Sequence, residues 1–193
     1  MSYMKNINII FLLAIFIISG CALSPQIIEI DPVIEVDTAV VKPVKIRLDV
    51  VDARSSEIIG KRGGIYKETS DISTSKNMTS NLRHNLSKVL NKLGYQIANK
   101  SDSSDADLIV KITNINYSAY TEKLLNKVEL KVAVDVIAHK NNKEFTGGFN
   151  ATRKKDYVTV PGIEDNEVIV NETLAIVLQN MLKDNDLNKF LGS

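Results

Sequence analysis

Six apolar residues, Val128, Leu130, Val132, Val134, Val136 and Ala138, occupy alternate positions of one stretch, with Glu129, Lys131 and Asp135 on the intervening side. That period commits the stretch to a strand with one buried face, and it forces the chain to supply strands beside it and a layer above it. Asn141-Asn142 marks a tight turn, after which Phe145, Gly147, Phe149 and Ala151 alternate against Thr146, Gly148, Asn150 and Thr152. Upstream, Asp107 to Tyr120 alternates at Leu108, Val110 and Ile112, then shifts phase near Asn114 to Ile115, Tyr117 and Ala119. A phase shift within one strand predicts a bulge. The three stretches predict an antiparallel meander.

The rest of the chain predicts what packs on it. Val44 to Asp52 alternates and reads as a half-buried strand. Arg54 to Ser73 is polar and holds Gly60, Gly63 and Gly64, predicting a turn and an irregular strand around Ile65 to Ile72. From Lys76 to Leu93, Met78, Leu82, Leu86, Val89, Leu90 and Leu93 fall on one helical face, with Ser75 or Asn77 as the cap and Gly94 as a left-handed stop. A short strand, Tyr95 to Ala98, follows. A second helix, Glu164 to Leu182, buries Val170, Leu174, Val177, Leu178 and Met181, with Asp165 as its cap, and a last turn runs from Asp186 to Leu191. This order predicts an α+β two-layer sandwich: a mainly antiparallel sheet of about five strands, with two helices packed on one face.

The N-terminus obeys different physics. Ile9 to Ile18 is continuously apolar and is preceded by one charge, Lys5. Ten residues are too few to span a hydrocarbon core, which needs roughly 20. A basic start, an apolar run of this length and a small-residue exit make a signal peptide. Its exit, Ile18-Ser19-Gly20-Cys21, resembles the lipobox of bacterial lipoproteins, with cleavage between Gly20 and Cys21. The resemblance implies a diacylglycerol on the Cys21 sulfur and a further acyl chain, such as palmitate, on the amine freed by cleavage. Two or more chains anchor stably where one does not. Cys21 is the chain's only cysteine, so no internal disulfide is available. Ala22 is not the aspartate that, in lipoproteins of Gram-negative bacteria, favours inner-membrane retention, which implies the periplasmic face of the outer membrane.

The chain therefore divides into a signal peptide (1–20), a lipidated extended tether (21–43) and a single α+β domain (44–193). Pro25, Pro32 and Pro43 keep the tether extended. Fully stretched, its roughly 20 residues span up to about 65 Å, and docking of Ile27 to Ile30 or Val33 to Val36 on the sheet shortens that reach. The precursor has 24 basic and 23 acidic residues, and loss of Lys5 balances them. Such a chain has no global electrostatic attraction for nucleic acid, and no polybasic segment beside the anchor for anionic lipid.

Catalytic constellations are sparse. The two histidines, His84 and His139, lie off the apolar stripe and beside a turn, and no Gly-x-Ser-x-Gly elbow presents a nucleophile. Zinc needs three or four ligands, which the histidines and a lipidated cysteine do not supply. Asp102, Asp105 and Asp107 lack the glycine and distal glutamate of a calcium loop. Gly60-Lys61-Arg62-Gly63-Gly64 opens no helix and reads as a hairpin turn before a phosphate cradle. No metal or other cofactor is expected.

One segment carries a family resemblance. Val51-Asp52-Ala53-Arg54-Ser55-Ser56, Ile59-Gly60, Arg62-Gly63-Gly64, Ile65-Tyr66 and Glu68-Thr69-Ser70 resemble the YajG family of bacterial lipoproteins, as do Gly20-Cys21-Ala22 and Ile27 to Pro32. The resemblance implies no activity and carries over one functional residue, Cys21. Asp52, Arg54, Arg62 and Tyr66 mix charge, donors and an aromatic ring near a glycine turn. They form either a partner-binding edge or an internal brace in which Asp52 pairs with Arg54 or Arg62. The expected function is a non-catalytic lipoprotein that binds a protein or envelope component. The alternatives are a peptidoglycan hydrolase and an accessory subunit of a secretion or flagellar assembly.

Overall fold

A computed structural model describes residues 24–36, 43–62, 70–99 and 101–192. The strands are β1 (Gln26–Ile28), β2 (Lys45–Asp52), β3 (Ile58–Lys61), β4 (Asp71–Thr74), β5 (Gln96–Ile97), β6 (Ala106–Glu122), β7 (Leu125–Lys140) and β8 (Lys143–Tyr157). The helices are α1 (Met78–Lys92), α2 (Ile163–Leu182) and α3 (Asn185–Gly192).

The meander forms as its alternation requires. β6, β7 and β8 pair antiparallel along nearly their whole length. The phase shift is real: the β6–β7 register slips between Ile112 and Asn114. Val128, Leu130, Val132, Val134, Val136 and Ala138 are all buried. The Asn141-Asn142 turn has φ values of 49° and 57°, the left-handed pair that a two-residue hairpin needs.

The expectation of a mainly antiparallel sheet of about five strands with two helices is corrected here. The sheet is mixed and has eight strands, and the described residues include three helices. Four of its pairings, β1–β4, β2–β5, β2–β6 and β3–β6, are parallel. The reason lies on the free edge of β6. β2 runs parallel along its first half, from Ile46–Ala106 to Asp52–Ile112. The chain then leaves the sheet and β3 rejoins the same edge in the same direction at Gly60–Tyr117. The interruption sits opposite the β6 bulge, where Ala53 N–H still donates to Ile112 O at 2.9 Å. Alternation is the same in parallel and antiparallel strands, so nothing local in β2 announces its direction.

The helices cover the buried face. α1 lays Met78, Leu82, Leu86, Val89 and Leu90 into the core and ends as expected. Gly94 takes φ 97°, and Tyr95 N–H returns to Leu90 O at 3.0 Å. α2 begins at Ile163, one residue before its expected start, and Asp165 acts from inside the first turn by accepting from Gly162 N–H at 3.2 Å. Residues 26–36 are built onto this core. β1 pairs with β4, and Ile28 and Ile30 are completely buried.

Candidate functional site

Asp52 closes β2 and meets Arg54 as a fork. Arg54 Nε and Nη2 donate to the two carboxylate oxygens, each at 2.8 Å. Nη2 also donates to Thr74 Oγ1 of β4 at 2.8 Å. The Arg54 side chain is only 5% exposed, and its buried Nη1 has no hydrogen-bond partner among the described residues. Hydrogen bonding from Arg54 holds the Asp52 carboxyl below the usual carboxylate range, against the opposing effect of burial. The pair ties the interruption after β2 to β4.

Arg62 does something else. Its Nη1 donates to Ser24 O and its Nη2 to Pro161 O, both at 3.2 Å. One guanidinium thus holds the start of the N-terminal arm against the segment that leads into α2. Beneath it lies a buried polar chain. The Gln26 side-chain amide has Asn166 at one end, 2.7 Å away, and the Ile163 N–H and Arg62 Nε, each 3.1 Å away, at the other. Those two groups only donate, so the Gln26 oxygen belongs on their side. The Tyr117 hydroxyl meets Asn166 at 2.8 Å, and burial pushes this phenol far above its ordinary range. Further along, Glu29 N–H donates to Glu167 Oε1 at 2.9 Å, Asp31 N–H donates to Asn171 Oδ1 at 2.8 Å, and Asn171 Nδ2 donates back to Glu29 O at 2.9 Å. The arm is therefore read by α2 residue by residue.

Of the four residues singled out in the sequence, the structure pairs Asp52 with Arg54 and directs Arg62 to backbone carbonyls. Tyr66 lies outside the described residues, as do Gly63, Gly64, Gly20 and Cys21. Gln26, Asn166 and Asn171 were not legible as site residues, because a buried amide has no sequence signature before its partner is known. The three aspartates have structural partners. Asp105 accepts from Lys45 N–H at 2.8 Å, Asp107 is 3.3 Å from Arg47, and Asp102 is 3.6 Å from Lys45. They pin the start of β2 to β6. His84 is exposed, and His139 lies 3.6 Å from Glu144 at the edge of an open depression. Among the described residues no group of three or more His, Cys, Asp or Glu could hold a metal ion, and no helix is long and apolar enough to cross a membrane.

A groove of about 580 Å³ runs between the arm and the outer side of α2, lined by the apolar Val33, Val168 and Ile176 and by the charged Glu164, Glu172 and Arg153. Val33 is 76% exposed there.

A family model described as an uncharacterised lipoprotein matches residues 32–192. No curated protein sequence matches the chain. Among solved structures, a DUF330 protein from Xanthomonas campestris superposes with a TM-score of 0.55 at 10% identity, covering 88% of this chain and 97% of the other. A Helicobacter pylori protein described as a neuraminyllactose-binding hemagglutinin homologue gives 0.47 at 11% identity, covering 81% and 95%. A lipoprotein from Neisseria meningitidis gives 0.36 at 12% identity, covering 73% and 100%. At these identities the first is a likeness of fold, and the other two carry no argument.

Proposed function

The chain belongs to a family of uncharacterised lipoproteins, and on that premise we propose that it is a non-catalytic periplasmic domain, of the YajG type, held on the outer membrane by lipid on Cys21. The observation that supports the anchor is the family match, and the docked arm sets how short the link to it would be. Gln26 to Ile34 is part of the fold, and its first described residue, Ser24, stands three residues after Cys21. A lipid on Cys21 would thus be joined to the folded domain by a short link rather than by the long tether that the proline-rich sequence suggests.

The domain's role in this reading is to present a surface to a protein or envelope component. Asp52, Arg54 and Arg62 already hold contacts within the fold, so a partner using them would have to displace those contacts. The groove between Val33 and α2 offers exposed apolar area at Val33, Val168 and Ile176 without that competition. Mass spectrometry of the mature N-terminus is the test of the anchor: the expected species starts at Cys21 and carries diacylglycerol plus one acyl chain. An uncleaved Met1 or a bare Cys21 would overturn it. Crosslinking in intact cells tests the binding role, and release of muropeptides from purified sacculi would replace it with a hydrolase.

A further inference from the structure

The strand registers fix the end of the sheet toward which the N-terminal arm runs back. Gln26 of β1 pairs with Ile72 of β4, Ile72 with Gly60 of β3, and Gly60 with Tyr117 of β6. β1 is parallel to β4, β4 antiparallel to β3, and β3 parallel to β6. Going backward along β1 toward Cys21 is therefore going forward along β6 toward its turn with β7. From that row, six residues lead to Lys123, roughly 20 Å at about 3.3 Å per residue. Five lead back to Cys21, which at full stretch is at most roughly 18 Å. By chain length alone, the link from Gln26 to Cys21 is no longer than the stretch of β6 from the same row to the tip.

The tip carries exposed apolar side chains beside the ion pairs of Lys127 with Glu122 and Asp156. Leu124 is 91% exposed and Val158, where β8 ends beside the same tip, is 82% exposed; Val160 and Ile163 are also exposed. Lys123 and Leu124 form the turn with φ values of 49° and 68°. A leucine there gains neither burial nor a favoured backbone conformation, whereas the turn at the other end of β7 uses Asn141-Asn142. We infer that this end of the domain, Lys123-Leu124 with Val158 to Ile163, docks on the lipid bilayer that holds Cys21, with Leu124 and Val158 at the headgroup–acyl boundary and Lys123 among the headgroups. Apolar side chains of an interfacial element sit about 5–10 Å deep at that boundary. The inference rests on the proposed lipidation of Cys21.

The chain contains no tryptophan, so a single introduced one reports its own surroundings. The full lipidated protein is placed in phosphatidylethanolamine–phosphatidylglycerol vesicles containing brominated acyl chains, with Leu124→Trp, Val158→Trp or, at the opposite turn, Asn142→Trp. The first two are expected to shift to the blue and lose about half of their emission, and Asn142→Trp to stay unchanged, because bromine quenches only a ring at acyl-chain depth. Tryptophan itself seeks interfaces, so Leu124→Asp is added to the Val158→Trp chain and is expected to reduce its quenching. Intact mass is read on the same sample. A lipidated Cys21 with no quenching at position 124 or 158 overturns the docking alone, and so does a blue shift that needs protein concentration rather than brominated lipid, which would mark a second copy. An unmodified Cys21 overturns the anchor and the docking together.

Discussion

Arg54 is an enclosed charge, its side chain only 5% exposed, and its fork on Asp52 is the contact that makes its burial tolerable. Replacing the carboxylate leaves a guanidinium largely out of water with weaker acceptors. Hydrogen bonds to charged groups contribute about 1.5–3 kcal/mol, so Asp52→Asn is expected to lower unfolding stability by about 2 kcal/mol at neutral pH, read from urea midpoints. The sign with pH follows from the depressed carboxyl. Its contribution is complete above the unfolded carboxylate value, about 3.9, and is lost as pH falls through the lower folded value. The difference between wild type and Asp52→Asn should therefore shrink below about pH 4, and a difference that grows on acidification would contradict the pairing. Asp52 and Arg54 are two residues apart, so this pairing is legible in the sequence as one of two options. Arg62 was not, because its acceptors, Ser24 O and Pro161 O, are 38 and 99 residues away.

At the scale of elements, β6 organises the sheet because two separate strands share one of its edges. Gly60 is where the second arrives. A Cβ there would lie 2.0 Å from Tyr117 O, an atom of the paired backbone that cannot move aside alone. The close approach explains the glycine without any unusual φ. Gly60→Ala is expected to destabilise the domain by about 1–3 kcal/mol, the usual scale of overpacking, and to weaken amide protection in β3 and β4 before the meander. An alanine variant with wild-type stability would mean that β3 does not pair at this register. The meander, its bulge and both main helices were legible because their apolar periods are local properties. The direction of β2 and β3 was not. Alternation and turn residues are both blind to whether the partner strand is a sequence neighbour or lies 60 residues on.

For the whole molecule, the largest consequence is that the N-terminal arm closes the fold against its C-terminal helix. Ile28 and Ile30 are completely buried, and Gln26, Glu29 and Asp31 bond to Asn166, Glu167 and Asn171 across about 140 residues. Ile30→Ala is expected to cost about 2–5 kcal/mol, the range for deleting a buried isoleucine side chain. The amides of residues 28–31 should exchange hydrogen together with those of α2 rather than with the chain end. Fast exchange of the arm beside a protected α2 would count against docking. The sequence by itself determined the positions of the long strands and helices, and a resemblance that the family match bears out at the level of an uncharacterised lipoprotein. These are properties of short windows, where period, charge and small residues act within a few peptide units. Only the tertiary structure decided that the sheet is mixed, that the proline-punctuated arm belongs to the core, and that β1 runs back toward the same end as the Lys123-Leu124 tip. Those depend on hydrogen bonds between residues far apart in the chain, and a backbone group's local sequence does not say which distant partner will satisfy it.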